Sequence, residues 1–245
     1  MEFLHEGNEK SPQGLLIGKV VANYDDDYKG MIKVEYHAYE DEAQTNWMRV
    51  VSPYAGKNRG MFFHPEIDDE VAIAFIGGDL NNPCCIGSFW NNTDTLPPKS
   101  ANDKNTVKSI TTKSGVQITF SDEEGKEEIK ILTKNKNEIS ISDEKDLITI
   151  KTGDNEMKID GKGNKIVLNS NDIAITAKNK FSIEANAIDI KANNKLTLSG
   201  TNIESDAKAK VNLSAANVEI KAKAMLKAEA TGVAEVKGAM VKING

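Results

Sequence analysis

Apolar and polar residues alternate along most of this chain with a period of two, the pattern of strands that bury one face and leave the other in water. In the first ninety residues the alternation comes in five runs, at 15–21, 31–36, 47–51, 70–76 and 84–90. Turn chemistry separates them: Asp25, Asp26, Asp27 and Gly30 between the first two, and Gly77, Gly78 and Asp79 leading to Asn81, Asn82 and Pro83 before the last. Five strands in about eighty residues, with no convincing helical period, predict a small closed barrel of the OB type.

The second half repeats. Its unit is a doublet, two apolar residues with one polar residue between them: Ile173/Ile175, Phe181/Ile183, Ile188/Ile190, Leu196/Leu198, Val211/Leu213, Val218/Ile220 and Val241/Ile243. Weaker copies open at Ile203, Leu226 and Val233. First members fall at 173, 181, 188, 196, 203, 211, 218, 226, 233 and 241, in steps of eight and seven by turns. Two strands therefore make a unit of fifteen residues. Upstream, Ile129/Ile131, Ile139/Ile141, Ile148/Ile150, Met157/Ile159 and Ile166/Leu168 continue the series with wider steps. Asn, Asp, Gly and Lys between the doublets suit tight corners. Propensity alone favours helix over 221–228, rich in Ala and Lys, but the strand register runs straight through it.

Composition changes where the pattern does. All six prolines, both tryptophans, all five tyrosines, both cysteines and all three histidines precede residue 99, and only Phe120 and Phe181 carry rings beyond it. The expected organisation is an arm at 1–13, the barrel at 14–91, a turn-rich linker at 92–115 and a repetitive needle at 116–245.

The repeat also bears on assembly. Two inward aliphatics per strand contribute roughly 1.5–3 kcal/mol each when fully buried. Ordering seven or eight residues costs about 1–2 kcal/mol for each backbone unit. Such a strand must be closed in by neighbours. A single chain can do this by coiling as a solenoid, or three chains can wind round one axis as a triangular β-prism. A single-chain coil usually shows three strands in about 18–25 residues with bulky ladders. The two-strand unit with slim inward residues favours an intertwined triple-stranded β-helix, and so a homotrimer. At about 4.8 Å per stacked strand, fifteen strands make a rod roughly 70 Å long. The alternative is a single-chain solenoid acting as an adhesin or on glycans, which would want acids converging beside aromatics in a cleft.

Charge and candidate chemistry narrow the function. The chain carries 28% charged residues and a net charge of -6, and residues 14–90 hold six basic against twelve acidic residues. An acidic barrel argues against nucleic-acid binding. No run of eighteen apolar residues and no basic n-region with an apolar h-region appear, so synthesis in the cytoplasm and export without a signal peptide are expected. Cys84 and Cys85 are neighbours, which reads as two packed thiols rather than a disulfide. His64 stands alone and reads as a loop or interface residue rather than a base or ligand. The run Asp25–Asp27 lacks the glycine and distal glutamate of a calcium loop and reads as a solvated turn. Met61, Phe62 and Phe63 read as core or trimer contact rather than a membrane-inserting tip. No catalytic residue, metal site or cofactor is expected.

The residues Pro53, Gly56, Gly60, Pro65, Glu70, Val71, Gly78, Asp79, Pro83 and Gly87, in their order and setting, resemble the OB domain of the central spike family of contractile injection systems. That family comprises VgrG of type VI secretion, the central spike of phage tails and the phage baseplate assembly protein V. The segment from Lys113-Ser114-Gly115 through Ile118-Thr119-Phe120 to Ile129-Lys130-Ile131 is similar to the start of VgrG-like needles. The resemblance implies a non-enzymatic trimeric spike that a baseplate drives through a target envelope. It implies a separate hub protein, since only thirteen residues precede Gly14, and no lysozyme domain fits within 92–115. Short phage spikes hold iron with a His-X-His motif near the tip, but the last histidine here is His64. The end at Met240, Val241 and Ile243 resembles the blunt VgrG tip that takes a PAAR-type cap. Neither the machine, phage tail or type VI, nor the cargo follows from these residues.

Overall fold

The computed structural model describes residues 14–38 and 41–243; the arm at 1–13 lies outside them, as do Asn244 and Gly245. The described residues are all-β apart from a single 3-10 turn at Ile76–Gly78. Strands β1 (Leu16–Ala22), β2 (Met31–Ala38), β3 (Asp41–Gln44), β4 (Met48–Val50), β5 (Ala55–Gly56), β6 (Arg59–Gly60), β7 (Glu70–Phe75) and β8 (Pro83–Ser88) build the first part. The order β1-β7-β8-β4-β2 closes on itself through β1–β2 pairing. Every pair in this barrel is antiparallel except β4–β8, which is parallel. The five sequence runs correspond to β1, β2, β4, β7 and β8.

Val20, Ile32, Val34, Met48, Val71, Ile73 and Cys85 fill the barrel as one cluster, each at most 2% exposed. Small residues let the strands close around it. A Cβ on Gly18 would stand 2.5 Å from Val34 Cγ1 and 2.6 Å from the Glu35 carbonyl oxygen. Both cysteines are buried and unpaired, although neighbours on a regular strand face opposite sides. Cys85 belongs to the central cluster, whereas Cys84 lies outside it and keeps 8% exposure; past them a bulge, with Ala72 opposite Gly87 and Ile73 opposite Cys85, leaves Ile86 as the extra residue. Burial, chiefly, raises the Cys85 thiol pKa and keeps it protonated, as packing thiols are.

The second part is a seven-stranded antiparallel meander of β9 (Val107–Thr111), β10 (Gln117–Ser121), β11 (Glu128–Leu132), β12 (Glu138–Ser142), β13 (Leu147–Thr152), β14 (Asn155–Asp160) and β15 (Lys165–Asn169). Strand β9 falls within the stretch 92–115. Each strand pairs with the next, and the loops between are two to six residues long. Turns such as Thr133–Lys136 and Asp143–Asp146 close with a backbone hydrogen bond and end on a residue at positive φ, 62° at Lys136 and 50° at Asp146. This reversal explains the wider steps of the upstream doublets, because the chain needs extra residues to turn back beside itself.

Beyond residue 169 the chain changes character. It bends at 171, 178–179, 186, 193–194, 201, 208–209, 216, 223–224, 231–232 and 239–240, with a six-residue segment in each interval. Every segment begins on or just before an apolar doublet. Among the described residues none past Asn164 takes positive φ, and no strand pairing or backbone hydrogen bond forms after Asn169. Helix does not form over 221–228. Residues 176–245 form a unit of their own, apart from 1–175.

Candidate assembly surface

Strand pairing places the meander's apolar residues directly opposite one another. Ile118 faces Ile110 and Ile131, Ile129 faces Phe120 and Ile141, Ile139 faces Ile131 and Ile150, and Ile148 faces Ile141 and Ile159. Met157 then meets Leu168, and Ile159 meets Ile166. In a meander of period two all these side chains share one face. That face is open: Ile129 is 44% exposed, Ile150 46% and Ile166 68%. An uncovered apolar face of this length is far from the scattered apolar residues of an ordinary monomer surface.

The opposite face is polar and better covered. Ser140, Ser142 and Thr149 are buried there, and Lys130 Nζ lies 2.8 Å from Glu138 Oε2. The hydrogen bond from Lys130 holds the Glu138 carboxyl below its ordinary value, against the opposing effect of partial burial. A depressed folded value stabilises the fold above the unfolded pKa of about 4.3 and loses that contribution as pH falls through the folded value. Lys130→Met should therefore lower the unfolding midpoint at pH 7 and flatten its decline between neutral and acid pH. A decline as steep as in the parent would assign the acid sensitivity to other carboxylates.

The bent segments carry the same apolar character with still less cover. Ile173, Ile175, Phe181, Ile183, Ile188 and Ile190 are 51–66% exposed in the single chain. Leu196, Leu198, Val211, Leu213, Val218 and Ile220 are 56–77% exposed. At the distal end Met240 is 75% exposed, Val241 49% and Ile243 81%. These are the residues that the repeat selects as inward-facing, and nothing among the described residues of the single chain covers them.

The barrel's conspicuous residues hold turns and strand ends rather than gathering round a reactive centre. Pro53 precedes the β5–β6 hairpin that contains Gly56 and Gly60, where a Cβ on Gly60 would meet the Tyr54 carbonyl oxygen at 2.6 Å. Pro65 is buried, and its carbonyl accepts a hydrogen bond from Asn23 Nδ2 at 3.0 Å. Glu70 and Val71 start β7. Gly78 turns at φ 77°, Asp79 Oδ1 accepts from the Asn81 amide at 2.9 Å, Pro83 starts β8, and Gly87 sits opposite Ala72 past the bulge.

His64 Nε2 lies 3.2 Å from the Asn23 carbonyl oxygen, and its ring stacks on Phe62. Tyr24 donates to Asp26 and the Asp27 amide to Asp25, so that acidic run is an exposed turn. Phe62 and Phe63 are 78% and 60% exposed, so they are not barrel core. They line an open groove of about 740 Å³ with Phe89, Trp90, Leu96 and Lys113. Two of the carboxylates nearby are ion-paired: Glu66 with Lys113 at 3.1 Å and Asp68 with Lys19 at 2.7 Å. Among the described residues no group of three or more His, Cys, Asp or Glu is arranged to hold a metal ion, and no helix is long and apolar enough to cross a membrane.

A five-stranded barrel with one parallel contact, followed by strands whose apolar face has no cover, invites comparison with proteins built to assemble. Residues 16–90 match the type VI secretion system/phage-baseplate injector OB domain. The match takes in the whole barrel, and about half of the chain is similar to VgrG spike proteins. The type VI secretion system spike protein VgrG1c of Pseudomonas aeruginosa is 32% identical over 130 residues, covering 48% of this chain and 18% of its own length. VgrG1b of the same species is 30% identical over 130 residues, covering 48% and 17%. The actin cross-linking toxin VgrG1 of Vibrio cholerae is 30% identical over 111 residues, covering 42% of this chain and 10% of its own. The chain thus spans less than a fifth of the length of these relatives.

Sequence reasoning missed part of this apolar surface. Strand β9 contributes only Ile110 to the apolar face, because Lys108 stands opposite Phe120, so it shows no doublet.

Proposed function

We propose that this chain is a structural, non-enzymatic puncturing spike, three copies of which wind together through the uncovered apolar face and the doublets of 173–243. The observation that carries the reading is that these apolar residues recur every fifteen residues in pairs of segments and find no partner among the described residues of their own chain. A single-chain solenoid would stack its own segments on one another, and the backbone beyond 169 makes no such ladder. Three copies, each supplying one strand per layer, would pair those backbone groups and bury the doublets at a common axis. The shaft would then have no free sheet edge along its length.

In this reading the OB barrel seats the spike on a hub protein of a contractile baseplate, and the shaft transmits axial force to a target envelope. The exposed Met240, Val241 and Ile243 would form a small apolar triangle that takes a PAAR-type cap. The spike would leave the cell as part of the injection particle. The VgrG spike proteins of Pseudomonas aeruginosa that share the similarity support the assignment to this kind of machine. The number of copies in solution is its direct test: three are expected, and a monomer rejects the reading.

A further inference from the structure

Two rows of turns, one at each edge, flank the open apolar face of the meander, and their charges are opposite. One edge holds the turns at 112–116, 133–137 and 153–154, which join β9 to β10, β11 to β12 and β13 to β14. The other edge holds 122–127, 143–146 and 161–164, which join β10 to β11, β12 to β13 and β14 to β15. The first two turns of the first edge carry Lys113, Lys134 and Lys136 and no acid. The first two of the other edge carry seven acids, among them Asp122, Glu127 and Asp143, against two lysines. In the last pair the signs reverse, with Asp154 on the first edge and Lys162 on the second.

The acidic edge also carries a groove. It crosses β10, β11 and β12 and has a volume of about 250 Å³. Phe120, Ile129 and Ile141 line it from the apolar face, and Asp122, Glu127 and Asp143 line it from the turns. Glu127 accepts a hydrogen bond from the Gly125 amide at 3.2 Å, but none of these three carboxylates has an ion-pair partner among the described residues. Lys134 and Lys136 likewise have none, and both are exposed. A groove with apolar walls and carboxylates beside them suits lysine, whose methylene stem lies on apolar surface while its ammonium reaches the charge. The chain's own Lys136 stands at the far end of β12, roughly 20 Å along the strand direction from Asp143. Its level nevertheless matches, because the turn 133–137 joins β11 and β12 and the groove opens over the same two strands.

We infer that this groove takes the turn carrying Lys134 and Lys136 from a second copy of this chain, so that neighbouring copies meet basic edge to acidic edge. The inference rests on the three-copy reading proposed above and adds how the copies recognise one another. With three meanders level around one axis, apolar faces inward, each basic edge abuts the next copy's acidic edge, and the ring closes at three. A two-fold contact that put like edges together would set like charges against one another. Sliding one copy by two strands could carry Asp154 in between the acidic turns 122–127 and 143–146, so the charges also select the axial level. A different partner would need the same alternation of charge at the same spacing; the chain supplies it itself.

The test is disulfide trapping in the full chain. Lys136→Cys and Asp143→Cys are introduced together, and the mass in solution is measured on the same samples. Within one chain the two positions are too far apart to bridge, so any disulfide between them joins two copies. Mild oxidation is expected to give bands at two and three chain masses on a denaturing gel, whereas either substitution alone leaves single chains. Lys134→Glu with Lys136→Glu should speed dissociation of the three-copy particle in dilute denaturant about tenfold or more at low salt. Adding Asp122→Lys, Glu127→Lys and Asp143→Lys to that variant should restore most of the difference. A three-copy particle that neither cross-links nor responds to the charge reversal overturns the inference and leaves the spike standing. Cross-linking by Lys136→Cys alone would show like edges meeting, and overturns it as well. A particle of one chain mass overturns both the inference and the reading beneath it.

Discussion

Ile190→Asp is expected to abolish three-copy assembly. Ile190 is the second member of a strong doublet, it is 65% exposed in the single chain, and the repeat directs it to the shared axis. Three copies would bring three carboxylates together where three isoleucines should pack. Each lost side chain removes roughly 1.5–3 kcal/mol of burial, and each buried unpaired charge adds several kcal/mol of desolvation. The total is upward of roughly 10 kcal/mol per trimer, more than repacking can absorb. Asp189→Lys, one residue earlier and on the outward face, should leave the mass unchanged. An Ile190→Asp variant of unchanged mass and heat stability would mean that the two faces have been assigned the wrong way round.

The second large effect concerns the barrel alone. Ile73 is fully buried in β7, pairs across to Leu16 and Cys85, and packs with Val34 and Met48 in the central cluster. Ile73→Ala removes about three methyl-sized groups from a closed barrel whose strands cannot move together without breaking a ladder. A loss of about 2–5 kcal/mol is expected, a large fraction of what so small a domain has. Tyr28 stacks on Trp47 at 5.7 Å, so the near-ultraviolet circular dichroism of the barrel should collapse at lower denaturant. Since residues 176–245 form a separate unit, the copy number should survive. Loss of both together would show that the barrel, not the shaft, holds the copies in place.

The parts of this fold that were legible in the sequence are those where one rule dominates. Val71 to Phe75 and Met31 to Tyr36 read as strands because β-branched and apolar residues alternate between bounded turns, and they form β7 and β2. The fifteen-residue repeat was legible to the residue, because each bend falls between doublets at 173, 181, 188 and onward. The rest depended on contacts the sequence does not display. Strand β3, Asp41-Glu42-Ala43-Gln44, has no apolar alternation and exists as a ladder against the end of β2. The bulge at Ile86 shifts the register of β8 against β7, and a period of two cannot anticipate it. The division at residue 169 was also hidden. The doublets look alike on both sides, but loops of two to six residues let the upstream strands pair within one chain, while the one- or two-residue bends downstream leave every segment unpaired.

The same distinction bears on the candidate surface. The inward residues were readable as a list, since alternation selects them one by one. Their exposure in a single chain was not, because it is a property of what fails to pack against them.

The most direct test of the whole account is the absolute mass of the intact chain in solution, measured by light scattering after size exclusion. The account predicts three times the 26.7 kDa chain mass and a large hydrodynamic radius for that mass. A compact particle of one chain mass would contradict it, because the apolar residues of 173–243 would then be buried by their own chain.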